Sequence, residues 1–313
     1  MNWKIKATLQ KILSLSLLGD KLNHIPVTLS QEYHKNVFSY QSHECIRKFD
    51  YCKSDFLKKD RVALEIGTGY SAISVVVLRL LGFKKIVTVD VTSDLIFSSF
   101  KKQSKYLNED VFLNEIVSKS IYSKNEILKL IDVILSKETF NELFEFLNVI
   151  YIAPYQFDDI EKHVLSIDYI TSQVVLEHVH PDILNSLFEK TCKWLVDDGL
   201  SVHTINFIDH FANPGFFQDK SISEFNFLRF SDKYWNYWAG NSIAYTNRLS
   251  YVYYLELCEK NKLTVVDFIG ENYRKRVELD SNLIHEDVLN KYEAIKCIDD
   301  LTKFQRGTLI ISK

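Results

Sequence analysis

The chain has no surplus of basic charge. Its 38 Lys and Arg face 41 Asp and Glu, leaving a formal net charge of −3, which excludes a global positive field for nucleic acid or an anionic membrane. The five cysteines, Cys45, Cys52, Cys192, Cys258 and Cys297, form no Cys-x-x-Cys pair and no zinc spacing. An odd, scattered set in a chain with no clear export signal reads as reduced thiols in a cytoplasmic protein. No apolar run approaches the length needed to span a bilayer, and neither internal repeats nor low-complexity segments occur. What is present is a composition of 46% hydrophobic and 25% charged residues over 313 positions. That suffices for a full core in one large domain with elaborations, or in two small ones.

The N-terminus carries lysines and then the run Ile12-Leu-Ser-Leu-Ser-Leu-Leu18. Gln10 and Lys11 interrupt it, and no small-x-small cleavage site follows. An amphipathic helix packed on the domain is expected there, in preference to a signal peptide or a membrane-surface anchor.

The most informative stretch is Val62-Ala-Leu-Glu-Ile-Gly-Thr-Gly-Tyr-Ser71. It reads as a buried strand running into a glycine turn. An apolar helix follows from Ile73 to Leu81, then a second strand, Lys85-Ile-Val-Thr-Val89, that ends on Asp90. This is the front half of a nucleotide-binding α/β domain. The glycines allow a sharp turn and close approach of a ligand, and the helix N-terminus presents free amide N–H groups. Asp90 is placed to accept hydrogen bonds from ribose hydroxyls. Gly67-Thr-Gly69-Tyr-Ser-Ala72 formally fits the dinucleotide fingerprint, so an NAD-dependent oxidoreductase is one alternative. Glu65 argues against it: a carboxylate there repels a pyrophosphate and suits a positively charged ligand.

Leu64-Glu-Ile-Gly-Thr-Gly69 resembles motif I of the Rossmann-like (class I) S-adenosylmethionine-dependent methyltransferases, whose cofactor carries a sulfonium and an ammonium group and no phosphate. Ser166 to Val179, ending in Leu-Glu-His-Val, resembles the fourth strand of such enzymes and the loop after it. Phe188 to Gly199 resembles the next helix with its glycine stop, Leu200 to Phe207 the fifth strand, and Arg306 to Ser312 the last strand of an edge hairpin. The matches cover residues 61–100, 148–210 and the C-terminus. They imply an α/β, Rossmann-like methyltransferase fold: a mainly parallel seven-stranded sheet with a C-terminal antiparallel hairpin, N-terminal helices and a helical insert. They also imply S-adenosylmethionine as cofactor, with Glu65, Gly67, Thr68, Gly69, Tyr70, Asp90 and Gln173 as its contacts.

Along the chain, residues 1–60 read as an N-terminal helical cap and 61–313 as the methyltransferase domain. His34 and His43 in the cap read as surface histidines. Thr92 to Leu107 reads as a helix that Thr92 or Ser93 can cap. Residues 101–147 hold a helical insert, with Ile127, Leu128, Ile131, Ile134 and Leu135 at helical spacing. The plain reading of the insert is a structural appendage; covering the cofactor or pairing two copies into a homodimer are the functional ones. Asn148-Val-Ile-Tyr-Ile-Ala153 then reads as the third strand, broken by Pro154. Residues 209–248 form a substrate-side elaboration dense in aromatics, and Ser250 to Lys260 a helix.

O-methyl transfer requires the acceptor oxygen to be held in line with the methyl group, and its proton to be removed. A neutral histidine is the commonest base near neutral pH. His178 follows the fourth strand and His210, beside Asp209, lies just past the fifth; these three are the candidate catalytic residues. His203, within the fifth strand, reads as a packing residue, and His180 is a further histidine nearby. Asp209-His210 also raises a divalent-metal reading. Adjacent side chains on a loop usually cannot both chelate one ion, and no second carboxylate cluster is evident, so no metal site is assigned.

The stretch from Phe207 to Arg248, with His203-Thr-Ile-Asn206 just before it, resembles methyltransferases of bacterial surface-polysaccharide biosynthesis. The elements that carry this are His203-Thr-Ile-Asn206, Asp209-His-Phe211, Asn226-Phe-Leu-Arg-Phe-Ser231, Trp235 and Asn247-Arg248. Asn206 departs from the pattern, which has an aspartate there. The resemblance implies an acceptor that is a sugar, a nucleotide sugar or a capsule or lipopolysaccharide glycan. Sugars pack on aromatic faces and Arg can fork onto a phosphate or carboxylate, so Arg229, Trp235, Trp238 and Arg248 are the candidate acceptor contacts. A small-molecule methyltransferase with a non-sugar acceptor and a non-catalytic Rossmann-like binding protein are the alternatives.

Overall fold

The computed structural model describes residues 1–15, 30–164, 166–212, 217–274, 277–293 and 297–313. Residues 16–18 of the N-terminal apolar run and 213–215 of the loop after Asp209 therefore lie outside the described residues. Among the described residues seven strands form one sheet: β1 (Val62–Ile66), β2 (Lys85–Val89), β3 (Val149–Ile152), β4 (Ile167–Gln173), β5 (Leu195–Asn206), β6 (Thr264–Glu271) and β7 (Arg306–Ser312). Their order is β3-β2-β1-β4-β5-β7-β6. β1 pairs in parallel with β2 and β4, and β2 with β3. β7 runs against its neighbours. Phe207 N–H bonds Gln305 O near one end of the β5 pairing while Asp197 meets Lys313 at the other. Gly307 lies beside Phe268, and Gly270 beside Phe304. The sheet is thus the expected Rossmann-like α/β arrangement with an antiparallel C-terminal hairpin.

Helices α1 (Trp3–Ser14), α2 (Gln31–Phe49), α3 (Ile73–Leu81), α4 (Phe97–Ser104), α5 (Asp110–Lys119), α6 (Lys124–Ser136), α7 (Phe140–Leu147), α8 (Pro181–Trp194), α9 (Asp232–Ala239), α10 (Tyr251–Lys260) and the single turn α11 (Glu286–Leu289) connect or flank the strands. Among the described residues none is long and apolar enough to cross a membrane.

By compactness the chain divides into two units. The first comprises Val27–Gln173, Lys190–His203 and Ile310–Lys313; the second comprises Met1–Pro26, Val174–Glu189 and Thr204–Leu309.

In the first unit, α3 is apolar and buried at all positions but Ser74 and Arg79, as a helix largely enclosed by its neighbours must be. α2 packs on α3, α4 and α5, through Phe38, Cys45, Ile46 and Phe49. His34 is buried on this helix, with Nδ1 3.5 Å from the Gln103 amide. The expectation of a surface histidine fails there because that position of the helix faces α4. His43 is exposed and pairs with Glu115 at 2.8 Å. The helix expected from Thr92 begins only at Phe97. Asp90 captures the Val91 N–H, Thr92 bonds Asp94, and the Ile96 N–H is tied to Tyr70 O, so residues 91–96 lie outside the helix. A capping box of Ser123 and Glu126 starts α6. The helix expected to stop at Gly199 ends instead at the buried Trp194. Gly199 stands inside β5, where a Cβ would lie 2.9 Å from the Asp168 and Val196 carbonyl oxygens.

In the second unit, α1 packs on α9, and Trp3 and Ala7 enter an apolar cluster with Phe211, Phe225, Phe227, Leu228 and Trp235. Trp3 lies 5.6 Å from Trp235, and Trp235 stacks on Phe230 at 5.9 Å. Offset ring contacts of this kind add modestly to the burial of the rings themselves.

Candidate active site

The expected cofactor residues lie in the first unit. Central strand β1 carries Glu65 near its C-terminal end, and the chain then turns through Gly67 (φ 89°) and Gly69 (φ 66°), conformations that favour glycine. A Cβ placed on Gly69 would meet nothing within 4 Å, so its strain is conformational and the space above the turn is open. Asp90, 21 residues on, reaches back: its Oδ2 accepts the Gly69 N–H at 3.0 Å and its Oδ1 the Val91 N–H at 2.8 Å. Thr68 bonds Thr88 at 2.6 Å, and Thr88 donates to Glu65 Oε2 at 2.9 Å. Tyr70 is half-buried beside this turn. The side-chain amide of Gln173, at the end of β4, donates to the Tyr40 hydroxyl on α2 at 2.9 Å.

Glu65 is 3% exposed. Burial pushes its carboxyl up to about 7, against hydrogen bonds from Thr88 and Ser74 and the charge of Lys48. Asp90 is likewise raised, first by burial. Lys48 is a neighbour that the sequence did not suggest. It comes from α2, is buried, donates to Ser172 O at 2.8 Å, and is lowered to about 8, chiefly by burial. His203 is buried between Ser172 and Ser201, at 2.8 and 2.7 Å, and burial lowers it to about 3. It is a neutral packing histidine, as expected.

The expected catalytic residues lie in the second unit. β4 is followed by Val174, whose φ of 50° is costly for a β-branched residue, and by a tight turn over Leu176–His178. Asn247 secures this turn. Its Nδ2 donates to Leu176 O at 2.8 Å and to Val179 O at 3.0 Å, and its backbone N–H donates to Glu177 O at 2.8 Å. The Tyr254 hydroxyl adds a bond to Leu176 O. His178 donates from Nδ1 to Tyr245 O, 2.8 Å away. Since a carbonyl only accepts, the ring keeps its lone pair on Nε2. His210 lies opposite, with ring centroids 5.0 Å apart. His178 is exposed, yet the neighbours crowding part of its ring desolvate it and lower it; burial holds His210 down to about 3 with help from His178, Lys6 and Arg274. Asp209 is fully buried and faces elsewhere, accepting the Phe211 N–H at 2.8 Å and the Asn226 amide at 3.4 Å. Burial raises it to about 7. His178 and His210 are therefore brought together, joined by Glu177, and Asp209 is turned into the interior.

A cavity of about 540 Å³ opens in the same unit, lined by His180, Asp232, Trp235, Tyr245, Arg248 and Lys291 among others. Two of the four expected acceptor residues, Trp235 and Arg248, border it. Arg229 is exposed, and Trp238 packs half-buried beside Lys4 and Tyr237; neither borders it. Arg248 sits at φ 58°. It donates to Phe227 O and Phe230 O at 2.8 and 2.7 Å and pairs with Asp232, which Lys291 also binds at 2.8 Å. Asn247, Tyr245 and Lys291 were missed by sequence reasoning. Asn247 could have been found from its place in the Asn247-Arg248 element; the others carried no signal.

No protein-family model matches the chain, and no curated protein sequence matches it. Solved structures do resemble it. One is a cyclopropane-fatty-acyl-phospholipid synthase-like protein from Lactobacillus casei, at 11% identity and a TM-score of 0.46, covering 89% of this chain and 92% of that one. Another is phosphoethanolamine N-methyltransferase 2 of Haemonchus contortus in complex with S-adenosyl-L-methionine, at 13% identity and a TM-score of 0.40, covering 88% of this chain and 52% of that one. Overlaps this loose do not bear on activity.

Proposed function

We propose that the protein is an S-adenosylmethionine-dependent O-methyltransferase acting on a sugar, nucleotide sugar or surface glycan. The observation that carries this reading is the pairing of Glu65 and Asp90 around a glycine turn with open space above Gly69. Asp90 suits the ribose of either cofactor class, so Glu65 makes the distinction: its carboxylate repels a pyrophosphate and favours a cationic, phosphate-free ligand. The residues fit that cofactor: Asp90 would accept from ribose hydroxyls, the glycine turn would pass beneath the nucleoside, and Glu65 would balance the positive charge. S-adenosylmethionine, when bound, supplies a methyl group on a positively charged sulfur, which leaves as a neutral thioether once the acceptor oxygen takes the methyl.

The second unit would hold the acceptor. Half-buried Tyr245 would offer a ring face to a sugar, with Asp232, Asn236 and Lys291 as hydrogen-bonding groups along the same wall, while Trp235, stacked between Trp3 and Phe230, only backs the cavity. His178 and His210 would handle the acceptor's proton, oriented by the Tyr245 carbonyl and the turn that Asn247 secures. Incubation with labelled S-adenosylmethionine and a panel of nucleotide sugars, read by mass spectrometry, tests the reading. A labelled product gaining one methyl group supports it. Label transfer only to non-sugar acceptors would overturn the acceptor class.

A further inference from the structure

We propose that Glu177, His178 and His210 form a binding site for one divalent first-row transition-metal ion, held by a carboxylate oxygen and two imidazole nitrogens. One donor atom from each side chain lies within 4.8 Å of the other two. Tetrahedral sites with bonds of about 2.1 Å place their donors roughly 3.4 Å apart, so small ring rotations close the set. Two imidazoles and a carboxylate suit a transition ion, whereas magnesium and calcium prefer all-oxygen shells.

The independent observation is Glu177 itself. Its side chain is 3% exposed, and neither buried carboxylate oxygen has a well-formed hydrogen bond; only the backbone amides of Glu177 and Asn206 approach the group. Burying an unpartnered carboxyl is costly, and a cation removes that cost. His178 shows the second feature of a metal ligand. Its Nδ1–H donates to a backbone carbonyl, which fixes the tautomer and presents Nε2. The Asn247 bonds to Leu176 O, Glu177 O and Val179 O hold the Glu177–His178 turn. Lys6 and Arg274 are the nearby cations that oppose a metal at His210. Lys6 is partly offset by Asp209, and its ammonium points to the His210 carbonyl oxygen at 3.4 Å. A cavity of about 190 Å³ adjoins His210, leaving room for a water or an acceptor hydroxyl as further ligand.

The site stands without the methyltransferase reading; its consequence rests on it. With an ion bound, the acceptor hydroxyl would be acidified and lose its proton to solvent, and the imidazoles would serve as ligands in place of the proton-accepting role they have in the metal-free reading.

The test uses the full chain, tag-free and stripped by a chelator. It is titrated with Co²⁺, read by visible absorbance and calorimetry, with Zn²⁺ as competitor and Mg²⁺ as control. The expected result is one saturable Co²⁺ site, displaced by Zn²⁺. Glu177→Gln and His210→Ala should each weaken it by at least roughly the 10- to 100-fold that losing even an outer partner costs. Glu177→Gln keeps the side-chain shape and decides the matter should the histidine variant not fold. Absence of saturable Co²⁺ binding, or wild-type affinity in Glu177→Gln, would overturn the proposal. S-adenosylhomocysteine is titrated into the same samples. Metal binding without it sinks the methyltransferase reading and leaves the site; the converse removes the site and leaves the reading.

Discussion

Asp90 and Gly69, 21 residues apart, are joined by a 3.0 Å hydrogen bond from the glycine N–H to the carboxylate. The bond ties the tip of β2 to the turn after β1 and gives one end of the sheet a fixed negative group. Asp90→Ala removes it together with the proposed ribose contacts. Cofactor affinity should fall by about 1.5–3 kcal/mol in calorimetry with S-adenosylhomocysteine, while far-UV circular dichroism stays unchanged. Full affinity would show that the ribose lies elsewhere.

Glu65 gives a pH-dependent expectation. Its folded value of about 7 lies above the ordinary 4.5. The carboxyl is therefore increasingly neutral as pH falls through 7, and affinity for a cationic cofactor should decline with it. For folding the sign is opposite. The native state binds the extra proton between these values, so this group's contribution to stability drops as pH rises from about 4.5 through 7. Glu65→Gln should thus bind cofactor poorly at every pH, yet gain stability over wild type at pH 8. Denaturant titrations at pH 5 and 8 check this; a loss of stability at pH 8 relative to pH 5 in the same comparison would contradict it.

Gly67→Val should abolish cofactor binding and leave the protein folded. The substitution forces a β-branched residue into φ 89° and puts a side chain where the ligand approaches the backbone. Binding at wild-type strength would refute the assignment of the turn.

Asn247→Ala removes the side-chain donor to Val179 O and leaves Leu176 O with the Tyr254 hydroxyl alone, costing about 1–3 kcal/mol of stability through the stranded Val179 carbonyl. Turnover should fall with it, because the turn that carries His178 loosens. Asn247→Asp should not rescue either property, since a carboxylate cannot donate. Recovery of turnover in that variant would mean that Asn247 works in some other way.

His178→Ala and His210→Ala should bind S-adenosylhomocysteine normally and lose turnover by about 10²–10⁴-fold. Should both keep full activity, acceptor activation does not occur at this cluster.

The sheet was legible because its signals are local. The Val62–Ser71 stretch, the apolar run Ile73–Leu81 and the tip at Asp90 each announce their own structure. Element ends were read less well. The late start of α4 depends on the Ile96 N–H meeting Tyr70 O, and the early end of α8 on the burial of Trp194; neither partner is visible from the segment itself. The grouping of Glu177 with His210 was hidden for the same reason. The two lie 33 positions apart, and only the turn secured by Asn247 brings them together. Arg248 shows the opposite case. Its type suggested an anion contact, but the fold commits much of its guanidinium to Phe227 O, Phe230 O and Asp232.

The central claim is that the Glu65–Gly69–Asp90 site takes a phosphate-free nucleoside that carries an amino-acid ammonium group. Parallel calorimetric titrations of the full chain at pH 8 with S-adenosylhomocysteine and with NAD test it most directly. One-to-one binding of S-adenosylhomocysteine with none of NAD is the expected result. NAD binding in the absence of S-adenosylhomocysteine binding would contradict it.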